Sequence, residues 1–274
     1  MKTDGKTGSV NRRWIGAAVV SLFFGFLPCA GAIVIDFEQS SGYAAGALGG
    51  NPSGADGTKW TGSSTTGVVV TAGKGSGGSQ GAYAAAGAAN VGIYKFTLDA
   101  DDFGETFQGD SSVVAFSLEL KWEALSGATS ALPSVGRFYL GDDGTNPTSV
   151  RILWNDFGEI KIYDGLSNVV MAVNASDSVF QASPGVFYRI EGVADYAAKT
   201  FTLSVNGVEQ GSFGFYATGT PPSLVAYVTN QNNTHTQFTP WVLDNLEVAA
   251  IPEPQLLGLL LAAGAGYAMV RRRK

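Results

Sequence analysis

Apolar residues recur at alternate positions through most of the chain, the period of a strand whose two faces meet different surroundings. Val114, Phe116, Leu118, Leu120 and Trp122 alternate with Ser117, Glu119, Lys121 and Glu123. Val150, Ile152 and Trp154 lead into Asn155-Asp156-Phe157-Gly158, and Ile160 and Ile162 continue beyond it. Asn, Asp and Gly supply the turn chemistry, so this stretch predicts a β-hairpin. A second hairpin is predicted where Phe187, Ile190 and Val193 approach Asp195-Tyr196-Ala197-Ala198-Lys199 and Phe201, Leu203 and Val205 return. Asn206-Gly207 accepts positive φ twice over and opens a further turn. Strands are also predicted at Ile33–Glu38, Val68–Thr71, Gly92–Leu98, Val135–Leu140, Ser223–Thr229 and Val242–Val248. From Ile33 to the end of this pattern no ten-residue stretch has helical periodicity. Short strands separated by Gly, Asn and Asp turns predict an all-β protein, an antiparallel β-sandwich rather than a set of βαβ units.

Both ends break the pattern. Residues 1–14 carry Lys2, Lys6, Arg12 and Arg13 against the single acid Asp4, and an apolar run from Trp14 to Leu27 follows. Ala30-Gly31-Ala32 then supplies small residues for cleavage before Ile33, so residues 1–32 read as a secretory signal peptide. A run of this length is too short to span about 30 Å of hydrocarbon. Pro28 stands where a lipobox needs a small residue, so Cys29 is not read as a lipidation site. At the other end Ile251-Pro252-Glu253-Pro254 precedes the apolar stretch Gln255–Val270 and the cluster Arg271-Arg272-Arg273-Lys274. As a helix that stretch would reach about 24 Å, marginal for a bilayer, and the terminal cations would stay cytoplasmic. The domains are therefore read as 1–32, 33–250 and 251–274.

Pro252, Glu253 and Pro254, the short membrane segment and the basic tail together resemble the PEP-CTERM sorting signal of Gram-negative, biofilm-forming bacteria. The resemblance implies export, a transient inner-membrane anchor and recognition by an exosortase that cuts near the motif, leaving the chain at the cell surface or in the extracellular matrix. A permanent C-terminal tail anchor would predict the same topology.

Composition narrows the function of the exported part. Its residues 33–250 hold 9 Lys and Arg against 21 Asp and Glu, a net charge of −12. That excludes nucleic acid as a partner, repels anionic lipid and anionic polysaccharide, and can recruit divalent cations. Without the signal peptide the chain has no cysteine, so it folds without disulfides. One histidine, His235, makes His-based zinc sites and Ser-His-Asp chemistry poor choices. Residues 39–90 hold 14 Gly in 52 positions and read as long loops and loosely packed edge strands.

From Val135 onward the order of strands resembles the concanavalin A-like, or laminin-G-like, jelly roll. Val135-Gly136-Arg137-Phe138, Gly158–Gly165, Gly185–Ile190, Phe201–Gly207 and Val242–Val248 carry that order. The resemblance implies a jelly roll over residues 33–248 and a carbohydrate-related role. Related carbohydrate-binding modules hold a structural calcium between their first and last strands, which here implies Asp36, Glu38 and Asp244. The competing reading makes these acids solvated edge residues, with Asp244-Asn245 capping a turn. A second acidic run, Asp99 to Asp110, echoes a calcium loop but has Phe103 at its fifth position.

Catalysis is weighed against the same residues. Laminarinase-like hydrolases of this fold place three acids on alternating positions of one strand, whereas Glu119, Lys121 and Glu123 put a lysine in the middle. That lysine would hold both glutamates ionised and leave no general acid. Gly73-Lys74-Gly75-Ser76-Gly77-Gly78 satisfies G-x-G-x-x-G but lacks the following helix a dinucleotide site requires. Among Tyr139, Trp154, Tyr163, Tyr188 and Trp241, Trp154 shares the phase of Val150 and Ile152 and belongs to the core. Tyr163 and Tyr188 are the candidate sugar contacts. The expectation is a non-catalytic surface or matrix protein that binds polysaccharide, the alternative a glycoside hydrolase or polysaccharide lyase on the same fold.

Overall fold

The computed structural model describes residues 32–49, 60–62, 67–85, 92–98, 112–125, 134–141, 148–217, 224–230 and 239–251. Residues 1–31, Asp99–Asp110, His235, Pro252-Glu253-Pro254 and Arg271–Lys274 lie outside them. Among the described residues sixteen strands are formed: β1 Ala32–Ile35, β2 Gly46–Ala47, β3 Thr61–Gly62, β4 Val69–Thr71, β5 Gly81–Ala84, β6 Gly92–Leu98, β7 Val113–Trp122, β8 Ser134–Gly141, β9 Thr148–Asn155, β10 Ile160–Asp164, β11 Asn168–Met171, β12 Phe187–Asp195, β13 Thr200–Val205, β14 Val208–Gly214, β15 Leu224–Asn230 and β16 Trp241–Ile251. Two short 3-10 turns, Gln39–Ser41 and Ser76–Gly78, are the helical elements among the described residues. None is long and apolar enough to cross a membrane.

The strands form two antiparallel sheets. One has nine strands in the order β14-β13-β12-β7-β16-β5-β4-β2, with β1 also on β16, and the other has seven in the order β11-β10-β9-β8-β15-β6-β3. Their inner faces share one core, so the chain is the antiparallel β-sandwich that alternation predicts. Val114, Phe116, Leu118, Leu120 and Trp122 all point inward from β7, as their phase requires. Phe116 meets Phe138 of the other sheet at 5.6 Å between ring centroids, and Trp154 meets Trp241 edge-to-face at 5.0 Å. Two indoles also bond across the sandwich, Trp122 Nε1 donating to the Asn155 carbonyl at 2.9 Å and Trp241 Nε1 to the Val135 carbonyl at 3.3 Å. Gly136 pairs with Trp154 across β8 and β9, and a Cβ there would overlap the indole.

The predicted turns form with the chemistry assigned to them. Asn155 Oδ1 accepts the amides of Phe157 and Glu159, each at 3.0 Å, and Gly158 takes φ 81°. Asn206 and Gly207 both have positive φ, joining β13 to β14 through a two-residue turn of the kind that follows strand twist. The Gly-rich stretch does supply the edge strands β2 and β3. It also places Tyr43 and Trp60 fully inside, where Trp60 Nε1 donates to Tyr43 Oη at 3.0 Å.

Candidate functional site

Two outward faces carry the polar residues, and they differ. On the nine-stranded sheet, β16 carries a bulge: Asp244 pairs with Glu119 and Glu247 with Ser117, so Asn245 and Leu246 oppose one residue. Asn245 takes φ 46°, a conformation its short polar side chain tolerates, and its Nδ2 donates to Glu119 Oε2 at 2.9 Å. The bulge resets the phase of the strand, so Trp241 and Leu243 before it and Leu246 and Val248 after it all face the core.

The bulge also marks where the free edge of β16 passes from β5 to β1. The loop after β1 and the glycine-rich loop before β5 close over this gap. Ser76 N–H donates to Asp244 Oδ2 at 2.7 Å, Asn245 N–H donates to Oδ1 at 2.9 Å, and Gln80 N–H donates to Glu38 Oε1 at 2.9 Å. Gly75 lies so near Asp244 and Gln80 that any side chain would collide with them. The G-x-G-x-x-G stretch thus cradles a carboxylate of its own chain. Asp244 is 1% exposed. Burial pushes its carboxyl up to about 6, with the charges of Glu119 and Glu38 adding to the rise against the two amide donors.

The expected calcium ligands are only partly gathered. Glu38 comes into electrostatic range of Asp244, but Asp36 turns back on its own loop, accepting Glu38 N–H and the Ser41 hydroxyl at 3.0 Å each. Every one of the three carboxylates is engaged by protein donors. Among the described residues no group of three or more His, Cys, Asp or Glu is arranged to hold a metal ion. The set Asp36, Glu38 and Asp244 therefore does not fit calcium. Along the same face Lys121 Nζ pairs with Glu123 Oε1 at 3.0 Å and donates to the Lys74 carbonyl at 2.8 Å, while Lys74 pairs with Glu123 Oε2 at 3.2 Å. Burial acts to raise the Glu123 carboxyl, but the hydrogen bonds and charges of the two lysines outweigh it and hold the group below its ordinary value.

The two candidate sugar contacts part company. Tyr188 shares the inward phase of Ile190, not the outward phase of Phe187 and Val193. Its ring packs on Phe180 at 5.0 Å and Trp122 at 6.2 Å, and its Oη accepts Ser183 N–H at 2.7 Å. Half-buried, it packs against the core rather than standing outward, because Phe187, Ile190 and Val193 cannot share one side of a strand of period two. Tyr163 stands outward on the seven-stranded sheet, as its phase predicts.

Around Tyr163 the register builds a cluster that sequence reasoning largely missed. Ile162 pairs with Ile152, which sets Tyr163 beside Arg151, and Arg151 pairs in turn with Tyr139. The row continues through the positions of Tyr227 and Lys95 on β15 and β6. The Arg151 guanidinium carbon lies 4.4 Å from the ring centroids of both Tyr163 and Tyr216 and 5.4 Å from that of Tyr139. Tyr163 and Tyr216 meet edge-to-face at 5.2 Å, and Arg137 Nη1 donates to Tyr139 Oη at 3.0 Å. Arg151 Nε is buried without a hydrogen-bond partner among the described residues. The odd parity of Arg151 against Val150, Ile152 and Trp154, combined with the hairpin, was the signal available for it. Tyr216, beyond the end of β14, carried none.

No protein-family description and no curated protein matches the sequence. Solved structures share the fold at low identity. A sialidase superposes with a TM-score of 0.53 at 12% identity over 81% of this chain, which spans 18% of that enzyme's length. A carbohydrate esterase from Shiga toxin-encoding bacteriophage phi24B gives 0.48 at 14% identity, covering 80% of this chain and 100% of that one. An endo-β-1,4-glucuronan lyase from Trichoderma reesei gives 0.45 at 9% identity, covering 79% and 94%. The first of these likenesses, at this identity, shows a shared antiparallel β-sandwich and nothing finer.

Proposed function

We propose that this chain is an exported polysaccharide-binding protein of the cell surface or extracellular matrix, without catalytic activity, sorted through its C-terminal signal. The observation that carries binding is the half-buried pair Tyr163 and Arg151 on the outward face of the seven-stranded sheet, with the buried Tyr139 packed beneath the guanidinium. Tyrosine rings offer apolar faces to sugar rings, and a guanidinium fork offers hydrogen-bond donors to their hydroxyls. The non-catalytic reading is supported on the other sheet. Its neighbouring carboxylates, Glu119 and Asp244, have the pairing an acid–base mechanism would use, but Asp244 is sealed beneath the Ser76 turn and cannot touch a substrate. Export and sorting rest on the two terminal segments: the basic and apolar residues 1–32, and Pro252-Glu253-Pro254 with Arg271–Lys274.

A glycan array probed with the full chain in mild detergent tests binding. Retention of polysaccharide, lost in Tyr163→Ala and kept in Tyr188→Phe, is expected. A silent array with folded protein would leave a structural matrix role. For sorting, replacing Pro252-Glu253-Pro254 with three alanines should hold the chain in the inner membrane, and unchanged release would remove the exosortase from the account.

A further inference from the structure

The sandwich is polarised in charge. The strands of the seven-stranded sheet carry four cations, Lys95, Arg137, Arg151 and Lys161, against one carboxylate, Asp164. That carboxylate is already committed, accepting Gly214 N–H at 2.7 Å and Asn168 Nδ2 at 3.2 Å. The strands of the nine-stranded sheet carry six carboxylates, Glu119, Glu191, Asp195, Glu209, Asp244 and Glu247, against Lys121 and Arg189. Within a domain of net charge −12, the strands of this one sheet are therefore net cationic.

The cations on that face are ordered by register. Lys95 and Arg151 stand in one row with the tyrosines, spanning four strand steps from β10 to β6, about 19 Å at ~4.8 Å per step. Lys161 and Arg137 stand in the next row with Leu153. Glu159, one residue before β10, is held by Asn155 Nδ2. At the centre Arg151 is gripped by three aromatic rings and joins no ion pair among the described residues. Its planar fork is preorganised by those rings, so little freedom remains to lose when an anion arrives.

We infer that this face selects a polysaccharide whose sugars bear carboxylates, a polyuronate, and that Arg151 receives a carboxylate while Tyr163 packs on a sugar face. The inference rests on the polysaccharide-binding reading above and specifies its substrate class. The overall negative charge does not forbid it. Exposed charges beyond about 8 Å are largely screened at physiological salt, so the cations beside the ligand decide its fate. A carboxylate accepts two parallel bonds from a guanidinium, which a neutral hydroxyl does not.

Calorimetric titration of the full chain in mild detergent with oligogalacturonate, and with the carboxyl-reduced neutral oligosaccharide of equal length, tests this. The acidic ligand should bind at least about tenfold more tightly, and R151Q should weaken it about ten- to a hundredfold, the range for a lost charge-assisted bond. R151K should recover only part of the loss, and E247Q on the other sheet should leave binding unchanged. Equal binding of the two ligands would overturn the inference and leave polysaccharide binding standing. Unchanged binding in R151Q would assign the acidic ligand to the terminal Arg271–Lys274 cluster and overturn it too. Binding of neither ligand by folded protein would end both readings. Should R151Q fail to melt cooperatively, the contrast between the two ligands on the unaltered chain still decides.

Discussion

The two sheets share a core and differ in what they do with their outward polar residues. On the nine-stranded sheet the strand cations are paired: Lys74 and Lys121 converge on Glu123, Arg189 pairs with Glu191 at 2.7 Å, and Asp244 is taken up by backbone amides. On the seven-stranded sheet Arg151 is surrounded by rings and joins no ion pair among the described residues. The difference teaches where to look for binding. A face whose cations are already paired closes the fold, and a face that holds an unpaired cation in a fixed geometry has something left to offer a ligand.

The comparison breaks at the largest scale if the shared core is emptied. Trp154→Ala should cost about 3–5 kcal/mol, since it removes the edge-to-face contact with Trp241 and leaves a cavity between the sheets. Chemical denaturation measures this, and a loss below about 1 kcal/mol would mean that the sheets do not depend on that contact. Gly136→Ala probes the same place by overfilling it. The added methyl meets the Trp154 indole, and a cost of about 1–3 kcal/mol is expected.

A third test sharpens the contrast on the nine-stranded sheet. Asp244 has a native value near 6 against an ordinary 3.8, so the folded protein holds this proton more tightly than the unfolded chain. The stabilisation from that protonation is complete below the ordinary value and is lost as the pH rises through about 4 to 6. Glu123 has the opposite sign: its native value is lowered, so its contribution is present at neutral pH and fades on acidification. Subtracting the stability profile of Asp244→Asn from that of the unaltered protein should isolate a term that declines with pH between 4 and 6. A difference that rises with pH would contradict the buried-acid assignment. The smallest effect is expected at Arg189–Glu191, half exposed on both sides, where Glu191→Gln should change stability by about 0.5 kcal/mol or less.

Much of this architecture was legible in the residues. Strict alternation in β7 and β9 and the Asn155–Gly158 and Asn206-Gly207 turns specified local strands, faces and hairpins, because period and turn chemistry act over a few residues. The Gly-rich stretch before residue 90 hid the burial of Trp60 and Tyr43, which depends on partners distant in sequence. The phase break between Leu243 and Leu246 was present in the sequence as a bulge signal, yet its consequence, the burial of Asp244 under the Ser76 turn, needed a contact 168 residues away. The same limit governs the candidate site. Tyr163 could be read as outward from its own strand, but Arg151, Tyr139 and Tyr216 join it only once the cross-strand register is known. Tyr188 was misassigned because its apolar neighbours did not define a single face.

The central claim is that ligand meets the seven-stranded sheet and not its acidic counterpart. Arginine Nε–Hε correlations in heteronuclear NMR test it directly, since Arg151 and Arg137 lie on one sheet and Arg189 on the other. On titration with oligogalacturonate the account predicts that the Arg151 resonance shifts in saturable fashion while that of Arg189 stays in place. A shift at Arg189 with Arg151 silent would contradict it.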